Sequence, residues 1–144
     1  MKSILIGCVA AASLFGFAAQ AETYVCKIKA NGSSKGFFIS DKITIDIPNS
    51  SQKAVVSDAV IMATNDVPVT AKLTTRSTKR VSLRWSLFGV KGPLKEIYGK
   101  VDYKLVIWKS RGNKASIVVG FPSAGGTDET LTKETYGSGT CQMR

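Results

Sequence analysis

Two cysteines, Cys26 and Cys141, and a block of cations over residues 72–114 are the side chains whose types and spacing could do chemistry. No histidine occurs anywhere in the 144 residues. That removes Ser-His-Asp and Cys-His catalysis, and with them the commonest transition-metal ligand. A thiol with no imidazole nearby lacks the base that would activate it, so the cysteine pair reads more simply as a disulfide. Ser50-Ser51-Gln52-Lys53 matches a serine–lysine hydrolase motif in letters only. Those enzymes place the motif at a helix start, whereas here it follows the turn residues Pro48-Asn49. Asp128, Glu129 and Glu134 could form a weak cation site, but clustered carboxylates near a terminus are usually just solvated. The sequence thus predicts a protein that is not an enzyme and uses no cofactor or metal.

The cations remain. The chain has 20 Lys and Arg against 10 Asp and Glu, a formal charge of +10, and the excess is not spread evenly. Residues 72–114 hold twelve cations against only Glu96 and Asp102, while the segments on either side are close to neutral. A concentrated field of this kind attracts anionic partners and is sensitive to salt. The candidate anion-binding residues are Arg80, Arg84, Lys104, Lys109, Arg111 and Lys114. Nucleic acid is not specifically indicated, since its readers interleave cations with stacking aromatics and only Trp108 answers that description. Trp108 is a candidate contact residue in its own right, unless the long connection 89–99 covers it.

The elements that must position these residues are strands. Val81, Leu83, Trp85 and Leu87 alternate with Arg80, Ser82, Arg84 and Ser86, so the arginines leave one face and Trp85 enters the core. Val101, Tyr103, Leu105 and Ile107 alternate in the same way and lead into Arg111-Gly112-Asn113. Alternation then resumes at Ala115, Ile117, Val119 and Phe121. A three-residue loop with Gly112 or Asn113 left-handed would set Ile107 against Ile117 and Leu105 against Val119. Strands are also expected at 23–29, 42–47, 54–62 and 67–75, the third with weak phase and a helical turn as its alternative. Pro68 suits a strand start or an edge. About eight short strands joined by turn clusters predict a single all-β domain, a small antiparallel barrel or sandwich.

Residues 1–21 read as a signal peptide: Lys2, an apolar stretch, then Ala19-Gln20-Ala21 as a cleavage site. The apolar stretch is short and broken by Gly16, which argues against a transmembrane anchor. Cleavage would leave residues 22–144 as the domain and remove Cys8. In an oxidising compartment Cys26 and Cys141 would then join the domain's two ends, making first and last strands neighbours and favouring closure into a barrel.

A signal peptide followed by a basic β domain bridged end to end is similar in outline to the periplasmic inhibitors of C-type lysozyme. Those carry a Ser-Gly-centred loop, which Gly137-Ser138-Gly139 and Arg111-Gly112 approach without the flanking residues. The resemblance covers architecture and carries over no functional residue. The expected function is a periplasmic or secreted binding protein engaging an anionic envelope polymer, glycan or lipid head groups. A protein-interaction module or inhibitor meeting an acidic protein, and a barrel carrying a small apolar ligand, are the alternatives.

Overall fold

The computed structural model describes residues 21–31, 37–49, 51–122 and 135–144. The chain runs through β1 (Glu22–Asn31), β2 (Lys42–Ile47), β3 (Lys53–Asp58), α1 (Ala59–Asn65), β4 (Val69–Arg76) and β5 (Arg80–Leu87). It continues through β6 (Val90–Lys91), β7 (Ile97–Tyr98), β8 (Val101–Trp108), a 3₁₀ turn at Lys109–Arg111, β9 (Lys114–Gly120) and β10 (Thr135–Met143). Eight strands close in the order β1-β10-β9-β8-β5-β4-β3-β2, every pair antiparallel. This is an up-and-down barrel and not a sandwich. β6 and β7 form a separate small hairpin inside the β5–β8 connection.

Strand alternation fills the interior. Ile43, Ile45 and Ile47 of β2, Val81, Leu83, Trp85 and Leu87 of β5, and Val101, Tyr103, Leu105 and Ile107 of β8 all point inward and are buried. An eight-stranded barrel is just wide enough for side chains to fill it or for one small ligand. Here Trp85 and Tyr103, directly opposite across β5 and β8, stack with ring centroids 5.1 Å apart. Burial raises the Tyr103 phenol well above its ordinary pKa, and the charge of Asp58 adds to the effect.

The expected 54–62 strand stops at Asp58 and gives way to α1. Asp58 is the N-cap, its carboxylate accepting from the Ile61 backbone N–H at 2.7 Å, and Asp66 ends the helix in left-handed backbone (φ 61°). The adjacent apolar pair Val60–Ile61, which spoils strand phase, is buried from one helix face. Burial pushes the Asp58 carboxyl above its ordinary value, against the lowering influence of the Ile61 N–H, the Ser40 hydroxyl and the Val60 N–H. An acid with a raised folded pKa holds its proton more tightly in the fold than in the unfolded chain. Its share of stability is therefore greatest in acid and falls as pH rises from 3.8, its ordinary value, through the raised one. Asp58→Asn keeps a capping oxygen and should flatten that fall in urea unfolding measured at successive pH values. Asp58→Ala should cost about 1 kcal/mol, because the cap is lost as well as the titrating group. An unchanged pH profile in the Asn variant would exclude Asp58 as the titrating group.

The β8–β9 hairpin differs from expectation in register. Ile107 faces Ala115 and Leu105 faces Ile117, a shift of two residues, with Trp108 and Lys114 flanking a five-residue connection. The 3₁₀ turn takes up Lys109–Arg111, and both Gly112 (φ 66°) and Asn113 (φ 57°) are left-handed. Because the shift is even, every inward side chain stays inward.

Closure depends on β10, whose Gly137-Ser138-Gly139 is regular strand and not a flexible approach to the cysteine. β10 lies so close to β1 that a methyl group on Gly139 would run into the Lys27 carbonyl. A methyl on Gly137 would sit 2.8 Å from Ile28 Cγ2 and 3.0 Å from Ile117 Cγ2. Gly139→Ala should therefore lower stability by about 2 kcal/mol or more, read by denaturant midpoint. A change within a few tenths would mean the seam can open without cost. Cys26 and Cys141 face each other across the same seam and form the disulfide.

Candidate functional site

A line of cations crosses the outside of the barrel. Pairing sets Lys53 opposite Lys72, Lys72 opposite Arg84, and Arg84 opposite Lys104. All four side chains are exposed, and they come from four adjacent strands: β3, β4, β5 and β8. Neighbouring strands lie about 4.8 Å apart, so the line extends about 14 Å. Like charges directly opposite on a sheet destabilise it. Among the described residues, none of the four forms an ion pair.

Five of the seven described side-chain carboxylates are engaged elsewhere, and the other two, Asp41 and Asp66, lie in the β1–β2 connection and at the end of α1. Glu22 accepts from Lys109 Nζ at 2.9 Å and lies 4.0 Å from Arg76 Nε. Asp46 accepts from the Thr23 hydroxyl at 2.8 Å, Asp58 is buried as a helix cap, and Glu96 accepts from the Tyr98 hydroxyl at 3.2 Å. Asp102 is the nearest in register, two residue pairs along from Arg84 and Lys104 on the same outer face. It accepts from the Ser86 hydroxyl at 2.5 Å and pairs with Lys100 at 3.7 Å. A groove of about 410 Å³ runs beside Arg84 and Lys104, bounded by Asp102, Val118, Phe121 and Pro122.

The structure separates the sequence-predicted candidates into three groups. Arg84 and Lys104 meet in the line. Arg80, Trp108 and Lys114 form a parallel row four residues along β5, on the same outer face. Arg111 lies over the Trp108 ring, its guanidinium carbon 6.0 Å from the centroid. Lys109 leaves the set of free cations. Burial would lower its pKa, but the bond to Glu22 and the neighbouring Tyr24 outweigh that and leave it raised. Its ammonium serves to bind the start of β1 to the β8–β9 turn.

Trp108 is half-buried, and the 89–99 connection is not what covers it. That connection follows β5 and lies at the opposite end of the barrel from the turn after β8. Lys53 and Lys72 are members of the line that the sequence reading left out. Lys72 showed its outward phase in the alternation of β4, but only pairing of β3 with β4 and β4 with β5 brings the two lysines into line with Arg84. A second cationic groove, of about 450 Å³, holds Lys27, Lys29 and Lys42 where β1 lies between β2 and β10. Asp128, Glu129 and Glu134 lie outside the described residues. No helix among those residues is long and apolar enough to cross a membrane. Compared with known protein families, curated proteins and solved structures, the chain matches none.

Proposed function

We propose that this is a non-enzymatic binding barrel, secreted or periplasmic, that engages an extended anionic component of the cell envelope through its outer cation line. The observation that carries the reading is the alignment of Lys53, Lys72, Arg84 and Lys104 across four paired strands without a described carboxylate partner. A line about 14 Å long suits phosphates or carboxylates repeated along a polymer better than a single small anion. An occupant of that kind would relieve the repulsion the sheet otherwise bears.

The disulfide is compatible with an oxidising compartment, and residues 1–21 have the pattern of an export signal. An apolar cargo has less support, because the inward positions carry Tyr24, Trp85, Tyr103 and a ring of Ile and Leu, all buried. The test is retention of the oxidised protein on immobilised lipopolysaccharide, peptidoglycan and polyphosphate across a salt series. Steeply salt-sensitive retention on one polymer supports the reading. Salt-insensitive capture, or none, removes it.

A further inference from the structure

The barrel end that carries α1 has a different surface chemistry from the cation line. Nine large apolar side chains are exposed among the described residues, and six of them lie in the connections at this one end: Phe37, Met62, Val67, Phe88, Leu94 and Ile97. The β6–β7 hairpin carries the most prominent three. Leu94 at its tip is 87 % exposed, Ile97 68 % and Phe88 65 %. Values this high mean side chains projecting into solvent, not the rim of a packed core.

The hairpin is held in that attitude from beneath. Val90 is buried, and Tyr98 packs into an aromatic cluster with Phe38 and Phe121 at centroid distances of 5.2 and 5.1 Å. Phe38 and Phe121 are themselves 4.9 Å apart. Gly89 donates its N–H to Tyr98 O at 3.0 Å, and Gly92 donates to Glu96 O at 2.8 Å, closing the tip. One face of the hairpin is thus committed to the core, which leaves Phe88, Leu94 and Ile97 facing out.

Charge decides the partner. Lys91, directly opposite Ile97, and Lys95, next to Leu94, are both exposed. Glu96, the acid in the hairpin, folds back over Gly92 onto the Tyr98 hydroxyl and away from the tip. Two such hairpins brought tip to tip would set lysines against lysines in a chain already at +10, while the exposed acids of this end, Asp41 and Asp66, lie off the hairpin, so a second copy is the wrong occupant. A projecting apolar tip flanked by Lys91 and Lys95 suits a fluid boundary of negative sign, where side chains enter below the head groups and lysines meet phosphates.

We infer that the α1 end of the barrel docks on an anionic lipid surface, with Phe88, Leu94 and Ile97 entering the head-group boundary and Lys91 and Lys95 contacting lipid phosphates. This site is separate from the cation line and does not depend on it.

The test uses the full oxidised domain with phosphatidylglycerol-containing vesicles, pure phosphatidylcholine vesicles and soluble polyphosphate. Wild type should co-sediment with the anionic vesicles and much less with the neutral ones. Phe88→Ser/Leu94→Ser/Ile97→Ser leaves net charge unchanged and should weaken vesicle binding about tenfold or more, while polyphosphate binding stays as in wild type. Leu94→Trp, a single change at a solvent-exposed tip, should give blue-shifted emission with anionic vesicles and no shift with polyphosphate. Unaltered vesicle binding in the triple variant, or no shift from Leu94→Trp, would overturn the inference and leave the cation line untouched. So would a concentration-dependent dimer in sedimentation that the triple variant abolishes. Vesicle binding that persists where polyphosphate binding is absent would support this site and remove the other.

Discussion

Breaking the Cys26–Cys141 bond is expected to cost this barrel about 3–5 kcal/mol, a large part of the 5–15 kcal/mol that holds a typical domain. The bond closes 115 residues of chain, and for a loop of that length the chain-entropy treatment gives about 4–5 kcal/mol. The local structure makes the seam especially dependent on it. Inward positions of β10 are Thr135, Gly137, Gly139, Cys141 and Met143, and Met143 is 56 % exposed. Apart from the cysteine itself, the closing strand buries no large apolar side chain. Its glycines permit close approach to β1 but contribute almost nothing to hydrophobic burial. Cys26→Ala/Cys141→Ala, the small apolar choice for buried positions, should show the loss in a denaturant titration. Reductant should reproduce it in wild type and leave the variant unchanged. Hydrogen exchange should rise first in β10 and β1 and last in β5 and β8. A loss below about 1 kcal/mol, with exchange unchanged in β10, would mean that the ladder alone closes the barrel.

What was legible in the sequence was mostly parity. Period-two alternation determines which side chains enter a barrel, and it placed Trp85, Tyr103 and Leu105 inside and Arg84 and Lys104 outside. Register is a harder quantity, because it depends on how a turn folds. Lys109–Arg111 could continue β8 or form a 3₁₀ turn, and alternation alone does not distinguish them; the error was two residues and so left the inward face intact. Helix α1 was only half visible. Val60–Ile61 breaks strand phase, but the buried cap at Asp58 draws on Ser40, whose hydroxyl accepts at 3.1 Å from the N–H of Val60, twenty residues further along the chain. The cover assigned to Trp108 failed for a topological reason. In an up-and-down barrel successive connections alternate between ends, so the segment after β5 cannot reach the turn after β8. The alignment of Lys53 and Lys72 with Arg84 is non-local in the same sense, since it is the product of two separate strand registers.

That alignment yields the second large effect. In Lys72→Gln/Arg84→Gln/Lys104→Gln, three adjacent members of the line lose their charge and keep much of their length. Binding to the retaining polymer should fall by about a hundredfold or more at low salt. For flexible polyanions the slope of log affinity against log salt changes by about 0.7 per ionic contact, so it should become shallower by about 2. Stability should move the other way. Three like-charge junctions disappear, each worth about 0.2–1 kcal/mol, so the variant should unfold at higher denaturant than wild type. The opposed signs matter, because a misfolded variant would lose binding and stability together. Lys29→Gln/Lys79→Gln/Arg144→Gln removes the same charge from exposed positions off the line and away from the β6–β7 hairpin, and provides the control. Equal loss of polymer affinity in both variants would attribute binding to the overall field of a +10 chain. Loss confined to the first variant, with a gain in stability, would mean that the repulsion across β3, β4, β5 and β8 is retained for the anion that neutralises it.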